Sequence, residues 1–184
     1  MTGTMVFLLE EPSMKAFLEG LLPRILPGDQ DFLLVAHEGK SDLEKSLPRK
    51  LRGWRSPNTQ FIVVRDQDSG DCVAVKEKLQ RIAISAGRPE TTVRIACREL
   101  ESWILGDLPT VSEVFSRSNV KGLELTAKFR QPDSLGSPSA ELKLLVPGYQ
   151  KVSGARQMGP YINVHRCQSQ SFAAFVAAVA RLSE

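Results

Sequence analysis

Cysteine is scarce in this chain, and its three copies, Cys72, Cys97 and Cys167, stand far apart. No CxxC or CxxH pair occurs, so neither a small zinc module nor a disulfide framework is expected, and a reducing, cytoplasmic compartment is. Long apolar runs are also missing. None reaches the about 18 residues of a membrane span, and the apolar start MVFLLE is short and has no basic flank, unlike a secretory signal. No membrane partner is therefore expected. Nor is there a large excess of one charge. Lys and Arg number 24 and Asp and Glu 21, a net +3 that an ordinary soluble surface accounts for. A GxxxxGK[ST] phosphate loop, internal repeats and low-complexity segments are all absent, which excludes a P-loop nucleotide binder and a solenoid.

What is present suits one domain. The 184 residues are 42% hydrophobic and 24% charged, enough to bury a core without staples. Residues 5–9 form an apolar run and read as a strand. MKAFLEGLLPRI follows with apolar residues at helical spacing. Ser13 is its expected cap and Pro23 its expected end. Residues 31–36 read as a second strand, then HEGKSD as a turn, with Ser41 or Asp42 capping a helix from 43 to about 54. Residues 59–65 read as a third strand, CVAVKEKLQRIAISAG as a third helix, and residues 91–97 as a fourth strand, with a short helix starting near Glu99. Strands alternating with helices imply a parallel sheet covered on its faces. The expected fold is thus α/β, with a four-stranded parallel core over residues 1–110. Residues 111–184 read as an irregular, mostly helical appendage of the same domain, with helices near 110–118, 139–146 and 169–182.

Chemistry concentrates where strands end. The segment FIVVRDQDSGDC drives an apolar strand into Asp66 and Asp68, with Asp71 close behind. The first strand ends in Glu10-Glu11, and the fourth runs into Glu99 and Glu101. In open parallel sheets ligands sit beyond the carboxyl ends of the strands, where strand order reverses. If the first and third strands are neighbours, these acids meet on one rim. Crowded carboxylates repel one another and raise each other's pKa. A hard divalent ion relieves this, and oxygen ligands without thiolate or imidazole suit Mg²⁺ or Mn²⁺. The chemistry such a site serves is phosphoryl transfer. The alternative for each piece is structural: DSGD as a turn into a helix, Glu99 and Glu101 as first-turn acids on a helix dipole.

The pattern resembles the Toprim domain of primases, topoisomerases and OLD-family nucleases, which has a Glu after its first strand and an Asp-x-Asp after its third. More narrowly, EEPSMKAFLEGLLPRI, HEGKSDLEKSLPRKLRGW, FIVVRDQDSGDC, RIACRELESWILGD and PGYQKVSGA resemble a family of small bacterial Toprim-like proteins of unknown function. The resemblance implies a Toprim-like core and a Mg²⁺- or Mn²⁺-dependent nuclease. It assigns Asp66 and Asp68 to metal, Glu10 to metal or acid/base work, and Glu101 to a further ligand. Glu11 and Glu38 remain alternatives for the Toprim-type glutamate, since Glu38 begins the Glu-Gly of HEGKSD. The resemblance equally admits a non-catalytic module that senses nucleic acid or nucleotide beside another protein, for example an ATPase, in phage defence or mobile-element biology.

Other residues carry narrower expectations. Lys40, beside Gly39 at a helix start, suits a phosphate contact. Arg49, Lys50, Arg52 and Arg55 suit a nucleic-acid backbone or a solvated face. Lys128, Arg130, Lys151 and Arg156 extend the basic set. His37 is read as structural, Cys72 as a buried thiol and Trp103 as core.

Overall fold

The computed structural model describes residues 3–184. Four parallel strands form one sheet in the order β2-β1-β3-β4, with β1 at Thr4–Leu9, β2 at Phe32–Ala36, β3 at Thr59–Asp66 and β4 at Thr92–Ala96. Pairing is in register from Met5 opposite Phe32 and from Thr4 opposite Thr59. The chain leaves β1 toward one edge and returns to β1's other side for β3. The order therefore reverses between these two strands, and a crevice opens at their carboxyl ends.

The central strands β1 and β3 are buried on both faces, and alternation decides which cluster each residue joins. Met5, Phe7, Leu9, Ile62 and Val64 pack into one core with α1 (Pro12–Ile25) and α8 (Gln170–Leu182). Val6, Leu8, Phe61 and Val63 pack into the other, with α2 (Lys40–Gly53) and α3 (Cys72–Ser85). Residues beyond the strand ends inherit this alternation.

Helix boundaries differ from expectation for local reasons. α1 begins at Pro12, whose fixed φ suits the first helical position, so Glu11 is the N-cap and Ser13 lies inside the helix. Pro23 falls near the end of α1, where its missing N–H removes little, and Leu26 N–H still closes on Leu22 O at 2.9 Å. α2 begins at Lys40, with Gly39 as N-cap at φ 99, so neither Ser41 nor Asp42 caps it. The expected helices of the C-terminal part are present as α5 (Leu108–Val114), α6 (Pro138–Leu145) and α8, and α4 (Glu101–Leu105) follows β4. Trp103 is fully buried against Phe17, Phe172 and Phe175, and its Nε1–H donates to Ser171 Oγ at 2.9 Å, as a core residue does.

α7 (Lys151–Met158) has no counterpart in the expected elements. It buries only Gly154, Ala155 and Met158, too sparse a stripe for a helical signal. Its place is set by close backbone approach. A Cβ on Gly159 would stand 2.1 Å from Phe17 O of α1, and one on Gly20 would stand 2.5 Å from Pro160 Cδ. Gly159→Ala should therefore force backbone apart and lose about 1–3 kcal/mol in urea unfolding. Unchanged stability would mean that α1 and α7 are not locked together.

Candidate functional site at the rim of β1 and β3

Alternation sends the acids to opposite faces of the sheet. Glu10 continues the Val6, Leu8 face, and Arg65 continues the Phe61, Val63 face, so both point toward α2 and α3. Both are buried, and Arg65 Nε lies 3.7 Å from Glu10 Oε2. Arg65 Nη1 donates to Glu44 Oε1 of α2 at 2.5 Å, and Lys78 of α3 donates to Glu44 Oε2 at 2.6 Å. Glu10 Oε2 also accepts from Asp66 N–H at 3.0 Å, so the first acid is fastened to the end of β3.

Asp66 continues the Ile62, Val64 face, toward α1 and the C-terminal part. It is 4% exposed, and its Oδ1 has no hydrogen-bond partner. Glu101, 0% exposed on α4, is in the same position: its Oε1 accepts from Tyr149 Oη–H at 3.4 Å, and its Oε2 is unpartnered. Glu11 Oε1 accepts from Ser13 Oγ–H and lies 3.7 Å from Lys151 Nζ. Glu99 is held by α6, accepting from Ser139 N–H at 2.7 Å and from Ser139 Oγ–H at 3.1 Å.

The electrostatics follow from this crowding. Burial pushes the Asp66 carboxyl well above its usual range, and repulsion from Glu11, Glu10 and Glu101 adds to it. Burial likewise raises Glu10, with Asp68 and Glu11 adding and the Asp66 N–H and Arg65 opposing. Glu101 is raised by burial against the pull of Lys151. The Tyr149 phenol is raised by burial and by Glu101, so it stays protonated and can donate. Burial works against the charge of Lys151, but Glu101, Glu11, Asp66 and Glu99 outweigh it and raise its pKa.

Asp68 stands at φ 56, held by its N–H to Arg98 O at 2.8 Å, while Gln67 N–H donates to Ala96 O at 2.9 Å. The acidic loop is thereby tied to the loop after β4. Asp68 Oδ2 meets Lys40 Nζ at 3.2 Å, so Lys40 at the start of α2 reaches the same rim. Asp71 caps α3, accepting from Ala74 N–H at 2.8 Å, and is thus used structurally.

Glu10, Asp66, Asp68, Glu101 and Lys40 all stand beyond the carboxyl ends of the strands, with the Glu10 side chain on the α2 side of the sheet and the Asp66 side chain on the α1 side. The structure does not bring Arg49, Lys50 and Arg52 there. They lie roughly 14–18 Å farther along α2 at about 1.5 Å per residue. Arg52 instead lines an open groove of about 280 Å³ with Lys78 and Arg81. Glu38 is exposed after β2, where its N–H donates to Asp42 Oδ2 at 3.0 Å. His37 is buried, with Nδ1–H donating to Leu9 O at 2.8 Å, which holds β1 to the end of β2. Cys72 is half-buried.

Arg65, Glu44, Tyr149 and the pairing of Glu11 with Lys151 were not read from the sequence. The signal for Arg65 was its parity with Phe61 and Val63. For Lys151 and Tyr149 there was only their place in PGYQKVSGA, since nothing local announces partners as remote in sequence as Glu11 and Glu101. The donor set consists of hard carboxylate oxygens, two of them buried and unpartnered, which fits Mg²⁺ or Mn²⁺. Among the described residues no three His, Cys, Asp or Glu side chains form a ready metal-binding group. Like charges without a shared counter-ion stand apart, and two of these acids are paired with lysines.

Among the described residues no helix is long and apolar enough to cross a membrane. Comparison with curated proteins finds no match, and comparison with solved structures finds none. A family model described as "Domain of unknown function (DUF4276)" matches residues 9–180, nearly the whole sequence, and the chain belongs to that family.

Proposed function

We propose that the chain is a Mg²⁺- or Mn²⁺-dependent phosphoryl-transfer enzyme, a nuclease acting on nucleic-acid phosphodiesters, built on a Toprim-like core. The observation that carries this reading is the Glu10 carboxylate hydrogen-bonded to Asp66 N–H, beside the buried, unpartnered Oδ1 of Asp66, at the point where strand order reverses. The resemblance of VFLLEEPS and FIVVRDQD to the Toprim glutamate and Asp-x-Asp supports it. Glu10, Asp66 and Asp68 would hold the ion, with Glu101 as a further oxygen donor. Held by these residues, such an ion would polarise a phosphoryl oxygen and lower the pKa of a water.

The remaining roles belong to the chain itself. Gly39, with open space where a Cβ would stand, lets a phosphate approach the N-terminal N–H groups of α2, a helix of 14 residues. Lys40 Nζ adds a donor at the same end. Glu10, 3.7 Å from Arg65 and raised in pKa, would either bind the ion or accept and return a proton at its carboxylate.

Labelled single- and double-stranded DNA and RNA, incubated with Mn²⁺ or with chelator, test the reading. Wild type should cut at least one polymer with Mn²⁺ only, and Asp66→Ala/Asp68→Ala should cut none. Absence of turnover on every polymer overturns the enzyme reading. Polymer binding that survives in the double variant would then favour a non-catalytic sensing module.

A further inference from the structure

On the Asp66 side of the rim, a cation facing the carboxylates comes from outside the α/β core. Lys151 is the first residue of α7, half-buried, with Nζ 3.7 Å from Glu11 Oε1. It interacts favourably with Glu101, Glu11, Asp66 and Glu99 together. Two fully or almost fully buried acceptors in this set, Glu101 Oε2 and Asp66 Oδ1, have no partner. One monovalent ammonium leaves this cluster incompletely compensated.

The helix that carries Lys151 is anchored at its far end. Gly159 and Pro160 seat the end of α7 on Phe17 and Gly20 of α1, and Arg24 donates to Ile162 O at 2.9 Å. From this anchored helix the four-carbon stem of Lys151 reaches the acids as a flexible arm bearing a point charge. Lys40 makes a comparable pair with Asp68, but that pair is exposed at 54% and 37%, where solvent screens it.

We propose that the Lys151 ammonium, paired with Glu11, is a tethered counter-ion whose charge opposes a divalent cation at the neighbouring carboxylates of Asp66 and Glu101, and must swing out when that cation binds. The inference rests on the metal-dependent reading above and adds its regulation: the C-terminal part sets how much free Mg²⁺ or Mn²⁺ the site requires. The physical reason is exclusion. An ammonium and a divalent ion facing the same cluster of carboxylates repel each other strongly at short range. With the ion absent, Lys151 lowers the self-repulsion of the acids and lets the rim stay folded.

Calorimetric titration of Mn²⁺ into the full chain tests this with wild type, Lys151→Met, Lys151→Arg and Lys15→Met. Lys15 is half-buried one turn along α1 from Glu11 and pairs with Glu19 at 3.9 Å, so its removal takes away the same charge while leaving the Lys151–Glu11 contact in place. Lys151→Met should bind Mn²⁺ about tenfold more tightly than wild type, whereas Lys151→Arg and Lys15→Met should stay within about threefold. Without metal, Lys151→Met should melt below wild type, and saturating Mn²⁺ should close that gap. If Lys151→Met does not fold, Lys151→Gln replaces it in the same titration. Equal Mn²⁺ affinity in wild type and Lys151→Met overturns the tethered counter-ion and leaves the metal reading standing. An equal gain in Lys15→Met reduces the effect to net charge and overturns it as well. Failure of every variant to bind Mn²⁺ overturns both readings.

Discussion

Asp66→Asn should make the metal-free protein more stable and, on the proposed function, abolish metal-dependent cleavage. Asp66 is buried with an unpartnered Oδ1 and faces Glu11, Glu10 and Glu101, so its negative charge opposes folding. Asn keeps the shape and removes the charge. We expect the metal-free Tm at pH 7.5 to rise by about 2–4 °C, the response of a chain of this size to roughly 1 kcal/mol. On the proposed function, metal-dependent cleavage should fall by at least about a hundredfold, because Asp66 would hold the cation that offsets negative charge at the reacting phosphate. Mn²⁺ should stabilise wild type and leave the variant nearly unmoved.

The pH profile separates this cause from improved packing. Asp66, Glu10 and Glu101 all have folded-state pKa values raised above the ordinary 3.8 and 4.5. The folded state therefore holds protons that the unfolded chain has released. Stability from these groups is complete below the ordinary carboxylate range and is lost as pH rises through their raised values. Wild type without metal should lose stability between mildly acid and neutral pH. The advantage of Asp66→Asn should grow over that interval and vanish near pH 4. Thermal melts from pH 4 to 8 read it directly. A variant less stable than wild type at neutral pH, with no pH trend, would mean that Asp66 carries no uncompensated charge.

The sheet was legible in the sequence because each strand is a short apolar run ended by a turn signal, and each crossover helix has a regular stripe. Placing Glu10 beside Asp66 required only the assumption that β1 and β3 are neighbours, which the strand order bears out. The counter-charges were less legible. Arg65 follows four apolar strand residues, and strand parity turns it onto the Glu10 side while its neighbour Asp66 turns away. Lys151 lies at the start of a helix whose buried residues are small and few, so neither the helix nor its direction left a pattern. The basic run at 49–52 was conspicuous in sequence, but the length of α2 carries it away from the rim. Charge density along a chain says little about convergence in space.

Arg65→Met should be the most destabilising single change at the rim. The guanidinium is buried, donates to Glu44 at 2.5 Å and lies 3.7 Å from Glu10. Removing one member of a buried charge group leaves the others desolvated and unpaired, a loss of about 3–5 kcal/mol. Glu44 keeps Lys78 at 2.6 Å, so the larger part of the loss should fall on Glu10, whose opposing cation at this distance is Arg65. Urea unfolding of Arg65→Met, Glu10→Gln and the double variant isolates that coupling. Neutralising Glu10 in the Arg65→Met background should recover stability, whereas the same change in wild type should not. The coupling should persist at high salt, since buried charges are weakly screened. A loss below about 1 kcal/mol for Arg65→Met, the range of exposed pairs, would show that water reaches this face. Glu10 would then owe its raised pKa to its acidic neighbours more than to burial, and a cation at the rim would have less reason to bind there.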